Sequence, residues 1–194
     1  MDELTSSDGL ASHVGEHINL GIVTVSDRAS EGTYVDEGGP AILSFFRDGF
    51  ASSWTAHYRC VPDEQSRIEA ALIEMVDERG CRVVVTTGGT GPTERDVTPE
   101  ATEAVCDRIM PGFGEQMRSI SLAFVPTAIL SRQIGGLRGN ALIFNLPGRP
   151  KAIRETIDEI WKAVPYCVDL VGGPYIDMKD DVCLAFRPKS ASRR

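Results

Sequence analysis

The chain has 194 residues, 42% of them hydrophobic, and its 20 basic and 28 acidic side chains give a net charge of −8. That length suits one domain of roughly 100–200 residues and can bury a core without a disulfide or metal staple. The acidic balance repels a polyanionic backbone and excludes general nucleic-acid binding. Five cysteines with no C-x-x-C spacing, beside three histidines, argue against structural zinc and a disulfide framework and fit free thiols in a reducing cytoplasm. No apolar run reaches the roughly 18–20 residues of a membrane span, and the acidic start lacks the apolar stretch of a secretory signal.

Residues 1–16 hold Asp2, Glu3, Asp8 and Glu16 with no Lys or Arg and read as a disordered acidic arm. Residues 17–190 read as a single α/β domain. Ile18 to Ser26 is short, β-branched and polar at its end, a buried strand. A loop rich in Gly and Asp follows, and Pro40 opens a helix through Phe45 and Phe46. Trp54 to Val61 is a second strand. Asp63 reads as the N-cap of a helix whose Ile68, Leu72, Met75 and Val76 share one face up to Gly80. Val83 to Thr87 is a third strand, running directly into Gly88, Gly89, Thr90 and Gly91.

Thr98 and Pro99 read as an N-cap with proline at the first helical position, opening a helix to about Ile109. Gly114 to Phe124 is a second helix, and Pro126 starts a short third. Asn140 to Asn145 is a strand closed by Leu146, Pro147 and Gly148. Ile153, Ile157, Ile160 and Val164 then mark one long amphipathic helix. Strands alternating with helices imply right-handed crossovers, so the expected fold is α/β, a three-layer sandwich around a mainly parallel sheet.

In such a sheet ligands gather beyond the carboxyl ends of the strands. Four expected strands end in polar or glycine-rich turns: Ser26-Asp27-Arg28, Pro62-Asp63-Glu64, Gly88 to Asp96, and Pro147 to Pro150. The Gly88–Gly91 run lets backbone amides wrap a phosphate, although a tight strand-to-loop turn needs the same glycines. It lacks the lysine of a P-loop and the spacing of a dinucleotide fingerprint. Asp63 and Asp96 are each either a local capping or turn residue or a carboxylate reaching this rim. Histidine-based nucleophilic schemes are poorly supplied, and no G-x-S-x-G elbow occurs. From Gln116 to Arg154 there is no acid, while Arg118, Arg132, Arg138, Arg149, Lys151 and Arg154 add six positive charges. A small anionic ligand beside Ser131 and Arg132 is the chemistry this segment suits.

Several motifs in fixed order, VSDRAS at 25–30, TTGGTGP at 86–92, RDVTP at 95–99, MPGFGEQM at 110–117, VPTAILSR at 125–132 and NLPG at 145–148, make the chain similar to the molybdopterin-binding MogA/MoaB family. The G domains of gephyrin and its plant counterpart are members. The resemblance runs from about Ile18 to Lys189. It implies a homotrimer and a Mg²⁺-dependent transfer of AMP from ATP to the terminal phosphate of molybdopterin, within molybdenum cofactor biosynthesis. Asp63 and Asp96 fall on the family's essential aspartates, with Asp63 as the implied Mg²⁺ ligand. Ser131, beside Arg132, falls on a pterin-holding serine. Ser26, Asp27, the Gly88–Gly91 loop, Pro147 and Gly148 match the nucleotide and pterin rim. The resemblance further implies a contact with the molybdate-inserting enzyme, and no nucleic-acid or membrane partner. A pterin-binding carrier or scaffold of MoaB or gephyrin type, with little turnover, remains the alternative.

Overall fold

The computed structural model describes residues 3–5 and 17–190. Seven strands form one sheet in the order β1-β3-β2-β4-β7-β6-β5. The central four, β3 (Trp54–Val61), β2 (Ile18–Val25), β4 (Val83–Thr87) and β7 (Ala141–Leu146), run parallel. β1 (Glu3–Thr5) pairs antiparallel with β3 at one edge. At the other edge β6 (Gly135–Arg138) runs antiparallel to β7, and β5 (Arg108–Ile109) antiparallel to β6. A strand therefore stands at 3–5, where an arm without order was expected; the rest of 1–16 lies outside the described residues.

The two-residue period of the central strands separates two cores. Ile18, Leu20 and Ile22 of β2, Val83 and Val85 of β4, and Leu142 and Phe144 of β7 face one layer; Val23, Val25, Val84 and Ile143 face the other. The first layer holds α2 (Gly38–Gly49), α5 (Pro111–Leu122), α6 (Pro150–Ile160) and α7 (Val164–Leu170). The second holds α3 (Gln65–Ile73) and α4 (Thr98–Val105). The larger core is aromatic: Trp161 is fully buried with its ring 5.2 Å from Phe45, 5.3 Å from Phe46 and 6.2 Å from Phe144. Each such side chain contributes about 1.5–3 kcal/mol by leaving water. No helix among the described residues is long and apolar enough to cross a membrane.

Three expected boundaries move and one strand was not expected, each for a physical reason. The helix expected to run to Ile109 stops at Val105, because Arg108 and Ile109 pair with β6. The helix expected from Gly114 starts at Pro111, whose missing N–H suits a first turn. The single long helix after residue 150 is broken into α6 and α7, since Pro165 can neither donate to nor clear the carbonyl one turn back. Finally, β6 shows no hydrophobic alternation. Its Gly135 and Gly136 are small because a Cβ would come within 2.7 Å of Phe113 and of the Cys106 sulfur.

Candidate active site

The four turns singled out in the sequence all follow the carboxyl ends of the four parallel strands, so the topology places them on one rim. After β2, Ser26 is extended and its hydroxyl accepts the Ala29 amide at 3.3 Å, capping the short helix α1 (Asp27–Ser30). After β3, Asp63 is not the helix cap expected of it: α3 starts at Gln65, and its N-cap position, Glu64, makes no side-chain cap bond. Asp63 instead faces Asp27. The Asp27 amide donates to Asp63 Oδ2 at 2.8 Å, and the Asp63 amide donates to Asp27 Oδ1 at 2.9 Å. This reciprocal pair ties two neighbouring strand ends together. Arg95 completes it, with Nη2 at 2.7 Å from both Asp27 oxygens.

The glycine loop after β4 sits at the centre. Gly88 and Gly89 have φ of 96° and 63°, a left-handed backbone closed to most residues. A Cβ on Gly88 would stand 2.2 Å from the Val25 carbonyl oxygen, so the loop lies directly on the end of β2. The position of a Cβ on Gly89 is 3.2 Å from Asp63 Oδ1, and that on Gly91 is 2.9 Å from Asp96 Oδ2. Both aspartates thus flank the loop through space that only glycine leaves open. Thr98 is likewise not the N-cap expected but the first helical residue of α4. Its hydroxyl donates to the Gly88 carbonyl at 2.9 Å and its amide to the Gly89 carbonyl at 3.0 Å.

The carboxylates differ electrostatically. Burial pushes the Asp63 carboxyl above the ordinary aspartate value, and the nearby charges of Asp27 and Asp96 add to the rise against the Asp27 amide and Arg95. Burial acts the same way on Asp96. There the Thr93 hydroxyl at 2.5 Å, the Thr93 amide at 3.0 Å and the Gly91 amide outweigh it and hold the group low. The Arg95 hydrogen bond, then the Asp63 amide, hold the Asp27 carboxyl low.

Beside the loop a cavity of about 320 Å³ is lined by Ser26, Arg28, Tyr34, Gly88, Gly148 and Arg149, among others. Neither arginine makes an ion pair among the described residues; the Arg28 guanidinium lies 5.1 Å from the Tyr34 ring centre. The Pro147 carbonyl accepts the Thr87 hydroxyl at 2.8 Å, which holds the turn after β7 against β4. Asp36, passed over in the sequence, closes the floor. It accepts the Tyr58 hydroxyl at 2.7 Å, the Thr24 hydroxyl at 3.0 Å and the Gly38 amide at 2.9 Å. Its only sequence signal was its place just before Gly38-Gly39-Pro40.

Arg132 reaches the loop, its amide donating to the Thr90 carbonyl at 2.9 Å, while Ser131 before it bonds within its own segment. The Ser131 hydroxyl donates to Gln133 Oε1 at 2.7 Å, and Gln133 Nε2 donates to the Asn145 carbonyl at 2.9 Å. The Asn145 side chain donates through Nδ2 to the Thr86 and Thr102 hydroxyls, so a buried polar network runs beneath the site. Arg132 was expected to face a substrate anion, but its guanidinium donates to the carbonyls of Gly91 and Asp96 and pairs with Glu100. The rest of the acid-free segment is similarly occupied: Arg118 holds the Gln133 carbonyl, Arg138 pairs with Asp77, and Arg154 with Asp48 and Asp158. Of its six bases, Arg149 lines the cavity.

A mainly parallel sheet whose strand ends gather glycine amides, two flanking carboxylates and two arginines without an ion pair among the described residues is an α/β architecture whose rim suits phosphate-bearing ligands. Residues 21–166 match the family model described as a probable molybdopterin binding domain. Molybdopterin adenylyltransferases of Haemophilus influenzae and Escherichia coli are each 53% identical over 188 residues, covering 91% of this chain and 95% and 96% of theirs. Among solved structures, the molybdopterin biosynthesis enzyme MoaB of Thermus thermophilus has 40% identity and a TM-score of 0.73 over 81% of this chain and 99% of that one. The chain belongs to the molybdopterin-binding family.

Proposed function

We propose that the chain is a nucleotidyltransferase of molybdenum cofactor biosynthesis, transferring AMP from ATP to the terminal phosphate of molybdopterin. The observation that carries this reading is that Asp63 and Asp96 each stand against a glycine of the loop, in a chain 53% identical to curated molybdopterin adenylyltransferases. A phosphate oxygen of molybdopterin attacks the α-phosphorus of ATP, the α–β phosphoanhydride bond breaks, and pyrophosphate leaves. A phosphate monoester is largely dianionic near pH 7, so it needs little general-base help. The obstacle is bringing two anions together. Loop amides at Gly88–Gly91 donate to phosphate oxygens, and Arg28 and Arg149 offset the remaining charge from the cavity wall. Ser26, Asp27, Pro147 and Gly148 frame the nucleotide, and Ser131 holds the pterin side.

Mg²⁺ fits this donor set. No group of three His, Cys, Asp or Glu converges among the described residues, but Mg²⁺ commonly takes one or two protein carboxylates and completes its shell with phosphates and water. Asp63, through Oδ1, and Asp96 would hold it; a bare carboxylate beside phosphates would otherwise repel them. When bound, the ion supplies charge neutralisation across the ATP oxygens. We further propose a homotrimer, working in the cytoplasm where its thiols stay reduced, that passes its product to the molybdate-inserting enzyme. The test mixes purified protein, molybdopterin, ATP and Mg²⁺ and follows pyrophosphate and adenylylated pterin. Both should appear together. Pterin binding without pyrophosphate release would replace this reading with a carrier or scaffold.

A further inference from the structure

Arg132 bridges the two halves of the site just described. Its Nε donates to the Gly91 carbonyl at 2.8 Å, its Nη2 to the Asp96 carbonyl and its Nη1 to Glu100, while its own amide donates to the Thr90 carbonyl at 2.9 Å. Four points of the segment 90–100 are therefore fixed by one residue 32 or more positions away. The residue before it is Ser131, anchored from below through Gln133, and Arg118 holds the Gln133 carbonyl at 2.9 Å. A planar guanidinium can serve three acceptors in different directions, which a lysine ammonium cannot reproduce. Glu100 adds a second sign of fixed design. Its Oε2 makes no hydrogen bond among the described residues, so Arg132 at Oε1 is its side-chain partner. Burial raises the Glu100 carboxyl, but the Arg132 hydrogen bond and its own backbone amide outweigh this and hold it below the ordinary glutamate value.

We propose that Arg132 is a positioning residue that locks the nucleotide-side loop, with Asp96, to the pterin-side segment, with Ser131, so that both substrates are aligned on one rigid body. The proposal rests on the function inferred above and assigns the alignment of its two substrates to a residue that touches neither. It replaces the direct anion contact that the sequence suggested for Arg132.

Two measurements on the full chain test it, using wild type, Arg132→Lys and Glu100→Gln. Amide hydrogen exchange in the free protein should quicken by about tenfold or more across 89–96 and 131–133 in Arg132→Lys, because local opening there becomes cheaper. Steady-state kinetics with ATP and molybdopterin should show kcat down by about 100-fold, the scale of a small misalignment. Both KM values should stay within about threefold. Glu100→Gln should shift both readouts the same way by less, and decides the matter if Arg132→Lys does not fold. Unchanged exchange in both variants overturns the proposal, as does faster exchange with kcat intact. A rise in the molybdopterin KM alone also overturns it, by making Arg132 a substrate contact. Wild-type protein that forms no adenylylated pterin would instead sink the proposed function, and the exchange comparison would still decide the coupling.

Discussion

Asp63 and Asp96 carry the same side chain but opposite electrostatic histories, and this separates their contributions to stability from their contribution to turnover. Burial raises the Asp63 carboxyl above the ordinary 3.8, so its charged form weakens the fold at neutral pH. That cost is relieved as pH falls through the raised value. Hydrogen bonds from Thr93 and Gly91 outweigh burial and lower Asp96. Its charge therefore stabilises the fold above 3.8, a contribution lost as pH falls through the lowered value. We predict that Asp63→Asn and Asp96→Asn both abolish adenylyl transfer, while their thermal midpoints at pH 7 diverge: Asp63→Asn at or above wild type, Asp96→Asn below. The Asp63→Asn advantage should vanish toward acid pH in a calorimetric series. Full turnover by either variant would remove that residue from the site. Gly88 makes a simpler case. A Cβ there meets the Val25 carbonyl at 2.2 Å with φ at 96°, so Gly88→Ala should cost about 2–4 kcal/mol in chemical denaturation. A wild-type midpoint would mean that the loop can move away from β2.

At the scale of elements, α4 is an anchor for the glycine loop as much as a layer of the sandwich. The Thr98 hydroxyl is buried and donates to the Gly88 carbonyl. Thr98→Val keeps the shape and removes the donor, so we expect a loss of about 1–2 kcal/mol and a raised KM for ATP. Unchanged ATP kinetics would show that the loop holds its form without this bond. Much of the element pattern was legible because burial writes a period into the chain. β2, β3, β4 and β7 were read within a residue or two, since β-branched runs ending at polar turns have few other fates. β5 and β6 were not. Their pairing with each other joins residues 27 or more positions apart in sequence, and glycines at 135 and 136 carry no periodic signal. The break between α6 and α7 was in principle readable from Pro165, but the apolar spacing through Val164 masked it.

Across the whole molecule, charge and apolar surface have separate tasks. The acid-free segment pointed to an anion site, yet four of its arginines hold protein carbonyls or carboxylates. The cations left to the cavity are Arg28 and Arg149. An apolar stretch precedes Ser131: Leu122, Phe124, Val125, Ile129 and Leu130 are exposed, Ile129 by 71%. Such a patch is the kind of surface that the proposed homotrimer would cover. Light scattering should therefore report three times 21.1 kDa for the full chain, and Phe124→Asp with Ile129→Asp should lower that mass. A monomeric wild type would overturn the trimer. The sequence by itself determined the alternation that builds a parallel sheet and the four polar turns that end its strands, because both follow from local burial and backbone chemistry. Only the tertiary structure decided the partners. Asp63 bonds Asp27 across 36 residues and Arg132 bonds Gly91 across 41. At such distances the direction of a side chain is set by packing between elements, which no local pattern records.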